Sequence, residues 1–182
     1  KMNTINFIKV ALRDYKIGAV TESSRFTVQK IVRELSPNFK YIVEYGAGNG
    51  VITKKILKNL PSDGKVVAIE LNQKLLSELR TIKDHRLIII NDDVVKLSKN
   101  IDQFNLPRID AVVSGIPFTF LELEKRRELI KNTHALLAPG GLFLVYQVSL
   151  LVFPLLKKLF KSARFRFEPR NFPPYFIMRA EK

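Results

Sequence analysis

The sequence predicts an α/β fold: a seven-stranded, mostly parallel sheet flanked by helices, with extra helices at the N-terminus. Three observations predict it. Short runs dense in Val, Ile, Leu and Phe recur at a regular interval, and near-continuous apolar runs read as strands covered on both faces. Segments with helical spacing alternate with these runs, as in strand–helix–strand units. The chain has 182 residues, 46% of them hydrophobic, which suits one full core better than two.

Each element has its own signal. Residues 4–16 place Ile5, Ile8, Leu12 and Tyr15 at helical spacing, with Lys9, Arg13 and Lys16 on another face. Ser23 or Ser24 suits the cap of a second helix, which runs to Leu35 and stops before Pro37. Strands are expected over 40–45, 65–71, 86–91 and 109–115, with a fifth over 142–147. Helical patterns fall between them, over 51–60, 73–83, 95–104 and 121–137. Ala138-Pro139-Gly140-Gly141 reads as a turn into the fifth strand. Residues 150–161 combine Leu155, Leu156, Leu159 and Phe160 with Lys157, Lys158 and Lys161, a basic amphipathic stretch. Strands over 164–168 and 175–180 close a single domain, with a helical segment over 1–36 and the core over 40–182.

Composition narrows the chemistry. There is no cysteine, which excludes disulfides and zinc–thiolate sites, and His85 and His134 stand alone, so no metal is expected. No apolar run is long enough to span a bilayer, and no signal-peptide pattern opens the chain. The formal charge is +14. Residues 1–40 carry eight basic and three acidic side chains, net +5, and residues 157–182 carry eight and two, net +6. The 116 residues between them are only net +3. Basic ends suit a polyanion, either nucleic acid or an anionic membrane surface, although a solubilising surface accounts for the same charge.

The sequence Val43-Glu44-Tyr45-Gly46-Ala47-Gly48-Asn49-Gly50 follows a strand and opens a helix. Small residues there let the backbone turn sharply and pass close to a ligand. Glu70 ends the next strand, where a carboxylate can accept hydrogen bonds from both ribose hydroxyls, although an acid before a helix also suits the helix dipole. The loop is G-x-G-x-G preceded by an acid, not the G-x-G-x-x-G of dinucleotide binders.

This E-x-G-x-G-x-G pattern resembles motif I of the class I S-adenosylmethionine-dependent methyltransferases, whose fold is Rossmann-like. The resemblance implies S-adenosyl-L-methionine as cofactor and S-adenosyl-L-homocysteine as product. It implies Glu44, Gly46, Gly48 and Glu70 as cofactor contacts, with Leu71 beside Glu70. Asp92-Asp93 follows the third strand, where that family places an acid on the adenine amine; Asp93 takes that register and Val94 follows it. Ser114-Gly115-Ile116-Pro117-Phe118 resembles the N/D-P-P-Y segment of amine N-methyltransferases, with serine in place of Asn or Asp. Ser114, Pro117 and Phe118 are therefore the expected reaction site, Ser114 also touching cofactor. Serine accepts a hydrogen bond without carrying charge, which departs from the usual receptor of a planar base amine.

Three stretches resemble bacterial phospholipid N-methyltransferases in particular. They are residues 16–26, matching V-G-A-I-x-P-S-S-R-F; residues 113–118, matching V-S-G-L-P; and Arg170-Asn171-Phe172-Pro173-Pro174, matching R-N-x-P-P. Glu22, where the family has proline, and Tyr45, where it has Leu, depart from the pattern. The resemblance implies methyl transfer to the amine of phosphatidylethanolamine or its methylated derivatives. The expected partner is an anionic phospholipid surface, and the expected place the cytoplasmic, inner face of the membrane. Arg25, Arg170 and Asn171 become candidates for the lipid substrate. Lys9, Arg13 and Lys16 become candidates for membrane docking, and the helical segment over 1–36 a cover for the site, although Ile5, Ile8, Leu12 and Tyr15 suit packing on the core as well. A monomer is expected. Two other readings stay open: an RNA adenine N6-methyltransferase, related to the rRNA adenine dimethylases, and a non-catalytic module binding cofactor or RNA.

Overall fold

The computed structural model describes residues 24–99 and 106–182. Seven strands form one sheet: β1 (Tyr41–Tyr45), β2 (Lys65–Ile69), β3 (Leu87–Ile90), β4 (Ile109–Ser114), β5 (Leu137–Gln147), β6 (Ser162–Glu168) and β7 (Tyr175–Glu181). Their order is β3-β2-β1-β4-β5-β7-β6, parallel from β3 to β5, with β7 antiparallel to both its neighbours. The helices are α1 (Arg25–Glu34), α2 (Val51–Asn59), α3 (Gln73–Leu79), α4 (Val94–Leu97), α5 (Leu123–Leu136) and α6 (Phe153–Leu159).

Strand alternation divides the core. Val43, Tyr45, Val112, Phe143 and Val145 face Leu129 and Ile130 of α5 and Leu156 of α6. Ile42, Ala111, Val113, Leu142 and Leu144 face Val28 and Ile31 of α1 and Ile52, Ile56 and Leu57 of α2. Both faces are covered, which is why β1 and β4 lack a polar alternation. Tyr45 is fully buried, and its hydroxyl donates to Thr133 Oγ1 at 3.3 Å, so this departure from the family pattern is satisfied inside the core.

Several boundaries differ from the sequence expectation. The fifth strand starts at Leu137 rather than residue 142, because Leu137 pairs with Ile109 before a register shift at the Ala138–Gly141 turn. The helix expected over 73–83 ends at Leu79, since Thr81 and Ile82 bond back only three residues. α4 ends at Leu97; the rest of its expected span reaches residues 100–105, which lie outside the described residues. β6 begins at Ser162, two residues early, because Ser162 pairs with Glu181.

α1 is fastened to the β6–β7 hairpin at both ends. Ser24 caps it, accepting from Thr27 N at 3.3 Å. Asn171 Oδ1 accepts from Ser24 N at 2.8 Å and Thr27 Oγ1 at 3.1 Å. Lys30 reaches the buried Glu168 at 2.6 Å. At the other end Glu34 receives Arg164 at 3.3 Å, Arg166 at 3.7 Å and Arg179 at 3.2 Å.

Candidate active site

The strand order reverses between β1 and β4, and a crevice at the carboxyl ends of parallel strands is where open α/β sheets bind ligands. A cleft of about 420 Å³ lies there, within the range of small-molecule sites. Its lining includes Gly46, Glu70, Leu71, Asp93 and Val94, five of the residues expected to hold cofactor, and also Pro117.

The glycine loop is built for a ligand. Gly46 has φ +71°, and a Cβ there would lie 2.8 Å from Ile116 Cγ2. Gly48 has φ +60°, but a Cβ would meet nothing within 4 Å, so open space faces this backbone. Glu70 accepts from Gly48 N at 2.8 Å through one oxygen and from Asn72 N at 2.8 Å through the other. It therefore braces the loop while lining the cleft. Asn91 donates to the carbonyls of Glu70 and Leu71, at 2.7 and 3.2 Å, and ties the ends of β2 and β3 together.

Glu44 lies on the α2 face of β1, wholly buried. Thr53 Oγ1 of α2 donates to its Oε2 at 2.6 Å, and Oε1 has no hydrogen-bond partner. Burial raises its pKa from 4.5 to about 8, against the lowering effect of Thr53, and the neighbouring Glu70 raises it further. A buried carboxyl with an unused oxygen beneath a glycine loop suits a cation above it. Asp93 caps α4, one oxygen accepting from Val95 N at 2.7 Å, and Asp92 pairs with Lys96 at 2.8 Å, which holds its carboxyl below the usual range. The paired carboxylates, the open glycine backbone and the orphaned acid fit the ribose, adenine and ammonium of S-adenosylmethionine.

Ser114, at the end of β4, is fully buried, and its Oγ has no hydrogen-bond partner. Pro117 lines the cleft, but the Phe118 ring lies in the core, 0% exposed, and not on the cleft wall. In the 3₁₀ turn Phe118–Phe120, with three residues per turn, the two rings point to different sides; Phe118 enters the core and Phe120 is the aromatic on the cleft. Two residues that sequence reasoning missed hold this turn. Gln147 Oε1 accepts from Phe118 N at 3.2 Å, and Arg126 donates to the carbonyls of Phe118 at 3.1 Å and Leu121 at 2.8 Å. Asn72, Val95, Ile116 and Leu121 also line the cleft. Ile116 lies within the Ser114–Phe118 motif; no sequence signal marks Asn72, Val95 or Leu121, and the sheet brings them together.

The expected substrate residues have partners within the chain. Arg170 bonds Glu168 at 2.8 and 3.0 Å and lies 4.0 Å over the Phe26 ring; Arg25 lies 4.9 Å over the same ring. Asn171 is buried and caps α1 as described. Lys9, Arg13 and Lys16 lie outside the described residues. Among the described residues no group of acids and histidines could hold a metal ion.

Comparison with known proteins gives the family and the fold. Residues 42–141 match the methyltransferase domain family. An ornithine lipid N-methyltransferase of Singulisphaera acidiphila is 32% identical over 154 residues, covering 83% of this chain and 79% of its own. A ubiquinone/menaquinone biosynthesis C-methyltransferase of Wigglesworthia glossinidia brevipalpis is 25% identical, covering 86% of this chain and 64% of its own. The fold is shared with the 1,6-didemethyltoxoflavin-N1-methyltransferase of Burkholderia thailandensis, solved with S-adenosylhomocysteine, at TM-score 0.70, 16% identity and 97% and 85% coverage. It is also shared with the N-methyltransferase NodS of Bradyrhizobium japonicum, at TM-score 0.68, 14% identity and 87% and 95% coverage. With the family match spanning the glycine loop and most of the sheet, the chain belongs to the class I S-adenosylmethionine-dependent methyltransferases.

Proposed function

We propose that this enzyme methylates the amine of a membrane aminolipid, phosphatidylethanolamine or its methylated derivatives, working peripherally on the cytoplasmic face of the membrane. The observation that carries the reading is the 32% identical relative, whose name places the methyl group on the nitrogen of a lipid. Phosphatidylethanolamine and an ornithine lipid both offer an amine on a lipid head group.

When bound, S-adenosylmethionine supplies an electrophilic methyl group on a sulfonium. The chain's own residues align and shield the reaction. Glu70 would hold the ribose hydroxyls, Leu71 and Val94 the adenine, Asp93 its amine, and Glu44 the methionine ammonium. In-line transfer needs a neutral amine held close to the methyl group, with water kept out. Ser114 Oγ, buried and without a hydrogen-bond partner, supplies an acceptor for an amine N–H. Pro117 and Phe120 form an apolar part of the cleft wall; Ser114 lies behind the lining, fully buried at the end of β4. Arg25 would meet the head-group phosphate, with the half-exposed Arg170, whose guanidinium also holds Glu168, beside it.

The test is incubation with methyl-labelled S-adenosylmethionine and, separately, phosphatidylethanolamine vesicles, ornithine-lipid vesicles and RNA. Label in the organic phase from phosphatidylethanolamine is expected. Label from ornithine lipid alone moves the acceptor to that lipid. Label only in RNA overturns the lipid reading, and cofactor binding with no acceptor labelled overturns catalysis.

A further inference from the structure

The carboxyl ends of the parallel strands share one edge of the molecule. β6 ends there too, since two antiparallel pairings through β7 make it run with β5. The exposed large hydrophobic side chains collect at this end. They are Leu71 after β2, Phe120 and Leu123 after β4, Leu151 after β5 and Phe172 after β6. Phe172 is 74% exposed and Leu71 62%. The other two exposed large hydrophobics among the described residues, Phe165 and Phe167, lie in β6 itself. The described loops at the opposite end carry none.

Exposed apolar side chains scattered singly are ordinary; five on the loops of one end are a surface. Its charge is complementary to a lipid phosphate. Leu123 and Leu151 border a groove of about 770 Å³ between α5 and α6 that Lys131 and Lys158 also line, together with Arg127 and Glu124, which pair with each other. Arg25 and Arg170 sit over Phe26 at the α1 terminus. Of the acids near this rim, Asp92, Glu122, Glu124 and Glu128 pair with Lys96, Lys125, Arg127 and Lys99, while Glu70 and Asp93, on the cleft, bond main-chain N–H groups. Leu71 and Phe120 belong both to this rim and to the cofactor cleft, so the cleft opens at the apolar surface.

We infer that this end of the sheet is the face the enzyme lays on an anionic bilayer. Leu71, Phe120, Leu123, Leu151 and Phe172 enter the boundary between head groups and acyl chains. Arg25, Lys158 and Arg170 meet phosphates at the level where long basic side chains settle. A lipid head group then reaches the cleft without leaving the leaflet. The inference rests on the aminolipid reading and adds to it the docking surface.

The chain has no tryptophan, so one introduced tryptophan reports its own surroundings. Leu151→Trp and Phe172→Trp go on the rim, and Phe39→Trp goes on the opposite end, between α1 and β1. Each full-length variant is mixed with phosphatidylglycerol/phosphatidylcholine vesicles containing brominated lipid. Blue-shifted, quenched emission is expected at Leu151→Trp and Phe172→Trp and no change at Phe39→Trp. Each rim side chain withdrawn from lipid weakens partitioning about tenfold. The triple variant Leu123→Ser/Leu151→Ser/Phe172→Ser should therefore lose at least about a hundredfold in vesicle sedimentation. It should still methylate a short-chain aminolipid dissolved as monomers. Rim reporters that stay unquenched overturn the docking surface, as do reporters already blue-shifted without vesicles, which would mean that residues 1–23 or a second copy cover the rim. Quenching at the rim with no lipid methylated supports the surface and overturns the aminolipid acceptor, so the two failures are distinct.

Discussion

At the residue scale, three acidic or hydroxyl side chains, Glu70, Glu44 and Ser114, carry the sharpest tests of the proposed site. Glu70 spends both oxygens on main-chain donors of the loops it lines. Glu70→Ala should weaken S-adenosylmethionine binding at least about tenfold, the equivalent of one charge-assisted hydrogen bond. Calorimetry showing unchanged affinity in a folded variant would reduce Glu70 to a brace. Glu44 is held protonated near neutrality by burial, with a pKa of about 8. The folded state therefore binds a proton that the unfolded chain has lost. This contribution is full below about pH 4.5, declines as pH rises toward 8, and should be absent from Glu44→Gln in denaturation series across that window. An ammonium arriving at Glu44 favours the carboxylate, so cofactor binding at pH 7 should release a proton. Titrations in buffers of different ionisation enthalpy measure it, and Glu44→Gln should abolish it. Ser114→Ala removes a buried hydroxyl without a hydrogen-bond partner, so stability should hold while turnover falls about tenfold or more. A loss of thermal stability with turnover unchanged would make Ser114 a packing residue.

At the scale of elements, the Arg170-Asn171 motif acts as a fastener. Asn171 caps α1 from the hairpin, and Glu168 gathers Lys30 and Arg170. The Arg170 guanidinium and Lys30 hold the Glu168 carboxyl down to about 2. Its share of stability is present above about pH 4.5 and lost as pH falls toward 2, the opposite sign to Glu44. Glu168→Gln should cost roughly 1–3 kcal/mol, because two cations lose a buried partner while the amide keeps part of the hydrogen bonding. Chemical denaturation at pH 7 and at pH 3 checks this: the gap between variant and wild type should narrow at the lower pH. Arg126 has a similar role on the other side of the site, holding two carbonyls of the turn that forms the cleft wall.

For the whole molecule, charge is concentrated at the chain ends while apolar tips gather at one end of the sheet. Each basic side chain near an anionic leaflet contributes about 1 kcal/mol, so replacing Lys9, Arg13 and Lys16 with Gln should cost about two orders of magnitude in vesicle partitioning. Raised salt should mimic the change by screening. Sedimentation against neutral and anionic vesicles at low and high salt reads both effects. Indifference of the wild type to lipid charge would leave the basic ends to RNA or to solubility.

The α/β class, the order of the seven strands along the chain and the family were all legible in the sequence. Each depends on local patterns: apolar runs, helical spacing, a glycine loop between a strand and a helix, and an acid at the next strand end. Glu70, Leu71, Asp93 and Val94 could be named for the same reason, since each sits at a fixed step from a strand terminus. Only the tertiary structure decided the rest. Phe118 and Phe120 look alike two residues apart, and which ring enters the core depends on the turn that Gln147 and Arg126 hold from distant elements. Arg170 and Asn171 read as ligands for the lipid substrate, but their first partners are Glu168 and Ser24 at the α1 terminus, the latter 147 residues from Asn171 in sequence. The gathering of Leu71, Phe120, Leu123, Leu151 and Phe172 at one end follows from parallel pairing. That pairing aligns the strand ends in space while leaving them scattered along the chain.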